Sequence, residues 1–337
     1  MMYDKNTYNI SKNASSVARL SNAVSSGKTL LKASDDATAW SKSLDIKQTM
    51  REVDAYQANM DFAEGWGKVT EDALTGIYDL LDDARETAIA ASKPLGDEER
   101  EAYVATLNQL IQEAVDLANT KYEDRYIFSI NGESAPFSII PGEDEDAEDV
   151  DAAADPDDAE GDEVQSEYVG GVTVNGVDVI NTDSEILEDT LDISGMSDTL
   201  SVRVSQSSKE IVNVDGQEIF WSDSADLKSN IFQQLYDLRE AVEAEDTETI
   251  QTLQTDLEGA QSRISSQISL TGTRLSALER RQSVLVDMET EYSSRLGELE
   301  EGDLVGAISQ LTQKQTLYDA ALQVTGMLDG LSLLKYI

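Results

Sequence analysis

The sequence predicts a mainly α fold: a long antiparallel, coiled-coil-like helical bundle made from both chain ends, with a small β-rich domain inserted between them. Three observations predict it. The four prolines, Pro94, Pro136, Pro141 and Pro156, leave both ends open to long helices. Apolar residues recur every seven positions in both halves, a helical stripe. Between Tyr126 and Val202 there is no Lys or Arg but 22 acidic residues, and the period then changes from seven to two.

The elements follow in order. Ile10, Val17, Val24 and Leu31 are seven apart, with Ala14 and Leu20 filling in, so the chain opens on a helix. "SSGKT" (25–29) then carries the tail of a phosphate-binding loop, but Asn22 stands where that motif needs its first glycine, and a helix stands where it needs a strand. The better reading is punctuation: Gly27 takes the left-handed conformation that stops a helix, and Lys28 suits the negative end of its dipole. Asp35 and Asp36 are expected as the N-cap and first turn of the next helix.

That helix carries the heptad Ile46, Val53, Met60, Gly67, Leu74, Leu81, Ala88. "SKPLGD" (92–97) breaks it, with Asp97 as the expected N-cap of a partner helix bearing Tyr103, Leu107, Leu110, Ala114 and Leu117. The stretch 143–163 holds 13 carboxylates in 21 residues and is expected to be a solvated loop. Asn175-Gly176 and Asp215-Gly216, each between alternating apolar residues, predict two hairpins. A second long stripe runs Ile250, Leu257, Ile264, Thr271, Leu278, Leu285, Tyr292, Leu299. Gln254, Gln261, Gln282 and Glu289 fall on its seam, which suits the edge of a larger bundle better than a two-stranded coil. Near Gly302 the phase breaks, and a last helix carries Leu304, Ile308, Leu311, Tyr318, Leu322, Leu331 and Leu334.

The expected organisation is an N-terminal assembly helix (1–42) pairing with a C-terminal one (303–337). A helical hairpin (43–130), an acidic β-rich insert (131–224) and long helices completing a rod (225–302) lie between. The two terminal stripes are short of partners. Three heptads make a marginal helix in water, so these residues predict contacts with each other or with another subunit.

Composition narrows function. The net charge of −42 disfavours nucleic acid and anionic membranes as partners. Cysteine and histidine are absent, which excludes disulfides, thiolate and imidazole metal sites, and Ser-His-Asp or Cys-His catalysis. The acidic run lacks the spaced pattern of a calcium loop. Trp40, Trp66 and Trp221 read as packing residues. No cofactor, metal or catalytic set is expected. The N-terminus lacks the apolar core of a cleaved signal peptide, which alone implies a cytoplasmic protein.

A resemblance changes that last reading. "LSNAVSSGKTLLKASDDATA" (20–39), with Gly27, Lys28, Ser34, Asp35 and Asp36, resembles the N-terminal signature of the bacterial flagellin family. "RYIFSINGESAPF" (125–137), opening with Arg125, Tyr126, Ile127 and Phe128, is similar to a stretch of the family's hook-associated junction branch. So is the ending "LTQKQTLYDAALQVTGMLDGLSLLKYI" (311–337). Trp40 departs from the pattern, where a smaller residue is expected, and the acidic insert belongs to no family pattern.

The resemblance implies a structural, non-enzymatic protein joining hook to filament. It implies secretion through the flagellar type III channel. Its terminal segments are expected to order as helices on assembly, through Ile10, Ala14, Val17, Leu20, Val24 and Leu31 and the C-terminal stripe. Implied partners are further copies of the chain, another hook-associated protein, flagellin and an export chaperone. Two alternatives stand beside this: a flagellin forming the filament itself, and a non-flagellar acidic coiled-coil scaffold whose termini are already protected.

Overall fold

A computed structural model of the chain describes residues 2–94, 96–130, 135–141, 169–174, 177–178, 196–222 and 229–333. The elements are α1 (Met2–Ser26), α2 (Ala37–Ala91), α3 (Asp97–Ala118), β1 (Lys121–Tyr122), β2 (Arg125–Tyr126), β3 (Phe137–Pro141), β4 (Val169–Val174) and β5 (Val177–Asp178). There follow β6 (Ser201–Arg203), β7 (Lys209–Ile211), α4 (Gly216–Phe220), α5 (Ile231–Glu243), α6 (Thr247–Glu300) and α7 (Leu304–Leu333). They form a mainly α fold with small antiparallel sheets. Two compact units result, residues 1–57 with 283–337 and residues 58–282; α2 and α6 contribute to both.

Helix starts use the chain's acids and one asparagine. Asp36 Oδ1 accepts from the N–H of Thr38 (2.8 Å) and Ala39 (2.9 Å). Asp246 accepts from Glu248 and Thr249, Asp303 from Gly306, and Asn230 from Gln233. Each satisfies a backbone donor that the helix leaves open. Asp97 does not cap: Gly96 occupies that position, and Asp97 sits one residue inside with Glu98 and Glu99, where negative charge complements the helix dipole.

In unit 58–282, α2 and α6 run antiparallel. The heptad residues Met60, Leu74, Leu81, Ala88, Leu257 and Ile264 are buried. The seam glutamines are not loose. Gln282 donates to Asp61 (2.5 Å) and Gln261 to Asp82 (3.2 Å), Gln261 also accepts from Arg85 (3.0 Å), and Gln254 donates to Ser92 (3.0 Å). Each rung one step along α2 meets one step back along α6. Gly67 is required by the close approach, since a Cβ there would stand 2.7 Å from Leu275 Cδ2.

Helix α3 packs on α5, and its Leu117 lies against Gly76 of α2. Buried between them, Arg239 donates to Asn108 (3.1 Å), pairs with Glu240 and lies over the Tyr236 ring. Two devices fasten the insert. Asn119 clamps the backbone of Phe137, donating to its carbonyl (2.8 Å) and accepting from its N–H (3.1 Å). Phe128, Phe137, Phe220 and Phe232 form one aromatic cluster, with neighbouring centroids 5.0–5.4 Å apart. The β6–β7 hairpin is held by Asn59, which donates to the Arg203 carbonyl, and by the Arg281–Glu210 ion pair.

The hairpins divide. β4 and β5 pair with Val174 opposite Val177, the register of a two-residue turn. Asn175 and Gly176 themselves lie outside the described residues, as does the acidic run 143–163. The expected hairpin at Asp215-Gly216 is instead the start of α4. Asp215 accepts from Gln217 N–H (2.9 Å), and Gly216 passes so close to Phe128 that a Cβ would stand 2.4 Å from its carbonyl oxygen. Asp-Gly serves a cap as well as a turn, and the neighbours decide. β1–β2 is an unexpected hairpin, turning through Glu123 and Asp124 with positive φ.

Candidate assembly surface

The terminal helices pack against each other within unit 1–57/283–337. α1 ends and α7 begins at one bridge, Lys28 with Glu301, so the pair is antiparallel. Gly27 has φ +73°, the left-handed stop expected for it. The backbone of the following linker then donates to the end of α6, Thr29 N–H to the Glu300 carbonyl at 2.8 Å. Gly302 leaves room for this, since a Cβ would stand 2.0 Å from Thr29 Cγ2.

Lys28 has a different task from the one expected. Its Nζ lies 2.6 Å from Glu300 Oε2, and Lys47 on α2 pairs with Oε1 of the same carboxylate. The Glu300 side chain is 3% exposed. Burial pushes its carboxyl up, but the hydrogen bonds and charges of Lys28 and Lys47 outweigh that and leave it below its ordinary range. Sequence could not supply this carboxylate, which lies 272 residues from Lys28.

The aspartates split their expected roles. Asp36 caps α2, whereas Asp35 lies outside the first turn. Its Oδ2 accepts from Leu31 N–H (3.2 Å) and Lys32 N–H (3.1 Å), shaping the linker. Ser34 is exposed. Arg125 is exposed on β2, while Tyr126, Ile127 and Phe128 are buried under the insert. That stretch is therefore a fastening of the inner unit.

The apolar stripes are unevenly covered. On α1, Leu20 is buried, with Ala23; Leu20 thus belongs to the monomer's own core. Ile10, Ala14, Val17 and Val24, and Leu31 in the linker, are half-buried. On α7, Leu311 and Tyr318 are half-buried, while Leu304, Ile308 and Leu322 are exposed. Leu331 falls within α7, and Leu334 lies outside the described residues.

Seven-residue spacing missed a second set. Val305 (79% exposed), Leu317, Val324 and Met327 (68% exposed) project from the side of α7 opposite the stripe. Counting apolar residues all round the helix would have found them. Among the described side chains of α7 only Ala307 is buried. Apolar residues thus stand on more of α7 than its packing against α1 covers.

Among the described residues no three His, Cys, Asp or Glu side chains gather as a metal site. No described helix is long and apolar enough to cross a membrane.

Comparison with known proteins adds to this geometry. Residues 1–132 match the family described as the bacterial flagellin N-terminal helical region. Over 145 residues, 42% of the chain, the sequence is 28% identical to flagellar hook-associated protein 3 of Escherichia coli K12 and, equally, to that of Salmonella typhimurium LT2. The chain spans about half the length of these curated relatives, 46% of each. Among solved structures, a putative flagellar hook-associated protein from Vibrio parahaemolyticus superposes with TM-score 0.60 at 15% identity, covering 79% of this chain and 100% of that one. Hook-associated protein-3 of Legionella pneumophila gives 0.53 at 16%, covering 75% and 98%. At these identities the likeness shows a shared fold.

Proposed function

We propose that the chain is a structural subunit of the bacterial flagellum, placed at the junction of hook and filament and joined to its neighbours through α1 and α7. The observation that carries the reading is the apolar surface around α7. Val305, Ile308, Leu317, Leu322, Val324 and Met327 stand in solvent on both sides of the helix. Burying one such side chain is worth about 1.5–3 kcal/mol, so neighbouring subunits that cover them gain a large driving force. The names of the curated relatives and the flagellin-type N-terminal match support the same placement.

Its partners are then further copies and other flagellar components. A chaperone that covers α7 before export follows from the same surface, since an apolar helix in the cytoplasm invites aggregation. The site residues proposed for subunit contact are the α7 set together with Ile10, Ala14, Val17, Val24 and Leu31.

A filament-forming flagellin is the second reading, favoured by the description of the matched N-terminal region. Labelling intact cells separates the two: a band at the filament base is expected, and label along the whole filament would replace the first reading with the second. The assembly claim is tested by Ile308→Asp with Leu322→Asp. Incorporation should be lost while the monomer keeps its melting temperature; collapse of the monomer would place those residues in its own core.

A further inference from the structure

With no cysteine in the chain, the methionine thioethers are its readiest targets for a mild oxidant. The described methionine side chains differ widely in access. Met60 is 2% exposed, Met196 1%, Met50 is half-buried, Met288 is 37% exposed and Met327 68%. Met327 therefore offers its sulfur most openly among them. The backbone beside it is open as well, since an added Cβ at Gly326 would meet no atom within 4 Å.

Met327 stands on the face of α7 that carries Val305, Leu317 and Val324, with Val324 one turn before it. As a thioether it suits that face, being apolar, flexible and able to fill an uneven gap. As a sulfoxide it does not. The S–O group is a polar acceptor, and an apolar cover provides no donor for it.

We propose that Met327 is a modification site for hydroperoxides, and that its sulfoxide keeps the subunit out of the assembly. The proposal rests on the assembly reading above. The sulfur lone pair attacks the outer oxygen of ROOH. The S–O bond forms as the O–O bond breaks, and RO takes up the proton and leaves as ROH. Sulfur loses two electrons and the peroxide gains them. The site is reactive only while α7 is uncovered, because a neighbour that buries Met327 also takes it out of reach of the oxidant. Oxidation thus sorts copies before assembly and spares those already in place.

The test uses the full-length chain and hydrogen peroxide. Peptide mapping follows oxidation in the free monomer and in assembled copies. Labelled chain, treated or untreated, is then offered to the flagella of cells that lack it. In the monomer Met327 should oxidise well ahead of Met60 and Met196, and in assembled copies it should be protected. Treatment should weaken incorporation of the wild type about 10-fold, the cost of burying a polar group without a partner. Reduction by the two methionine sulfoxide reductases should restore it. Treated Met327→Leu should stay at its own untreated level, whereas treated Met288→Leu should lose incorporation as the wild type does. Met327→Gln should incorporate poorly with no oxidant present. Incorporation of the oxidised wild type at the untreated level, or an equal loss in treated Met327→Leu, would overturn the proposal and leave the assembly reading standing. So would a loss that the reductases do not reverse, or equal oxidation of Met327 in monomer and assembled copies. Failure of the untreated wild type to incorporate would remove both.

Discussion

The inner unit and the terminal helix pair are made of the same kind of element and treat their apolar residues in opposite ways. In residues 58–282, Trp66, Leu74, Leu81, Leu107 and Ile111 are 0% exposed, and the seam glutamines all have partners. In α7, Ile308 is 49% exposed and Leu322 44%. The described part of the inner unit buries its large apolar side chains within the monomer; α7 leaves many of its own in solvent. Helical periodicity is the same in both, so the stripe by itself says only that a face is to be buried. What buries it depends on how many partners the topology supplies.

Denaturation experiments sharpen this contrast, from the largest effect to the smallest. Trp66→Ala empties the centre of the inner unit and should cost about 3–5 kcal/mol of monomer stability, read by chemical denaturation. Gly216→Ala drives a methyl onto the Phe128 carbonyl and should cost about 1–3 kcal/mol, with loss of near-ultraviolet signal from the phenylalanine cluster. Glu300→Ala leaves Lys28 and Lys47 facing each other across the linker. Both lysines are more than a third exposed, so the expected cost is about 1–2 kcal/mol, localised by amide exchange at Thr29 and Leu30.

The same carboxylate sets a pH dependence. Its folded value lies below the ordinary 4.5, so its contribution is fully present above that pH. It is lost as pH falls through the lower folded value. The protection of the Thr29 and Leu30 amides, taken relative to their intrinsic exchange at each pH, should therefore fall on acidification below pH 4.5 in the wild type, and Glu300→Gln should remove that step. Gln261→Leu, a change from a paired polar rung to a greasy one, should alter inner-unit stability by less than about 1.5 kcal/mol. The smallest effect belongs to the terminal pair: Leu322→Asp should shift monomer stability by less than about 0.5 kcal/mol while abolishing incorporation. A large loss there would erase the contrast between the two units.

The fold class was legible because α2 and α6 carry strict heptads uninterrupted by proline, and nothing local contradicts them. The break at Gly27 was legible for the same reason, and so was a cap within Asp35-Asp36, though it falls on Asp36, one position later than expected. Other features depend on distant neighbours. Asp215-Gly216 reads equally as a turn or a cap, and only Phe128 and Gln217 decide between them. The Lys28–Glu300 pair, the partners of the seam glutamines and the fastening by Asn119 join segments that the sequence does not mark as close. Of the proposed contact surface, the heptad half was visible, and Val305, Leu317, Val324 and Met327 were not, because they fall off the period that was being counted.

One carboxylate in the terminal unit holds three stretches of polypeptide: the strap after α1 through Lys28, α2 through Lys47, and the last turn of α6 that carries it. The two extremities therefore share one anchor. Peeling α7 away disturbs the turn that anchors the strap behind α1, and peeling α1 away strips a counter-ion from the last turn of α6. Loss of either end thereby weakens the footing of the other.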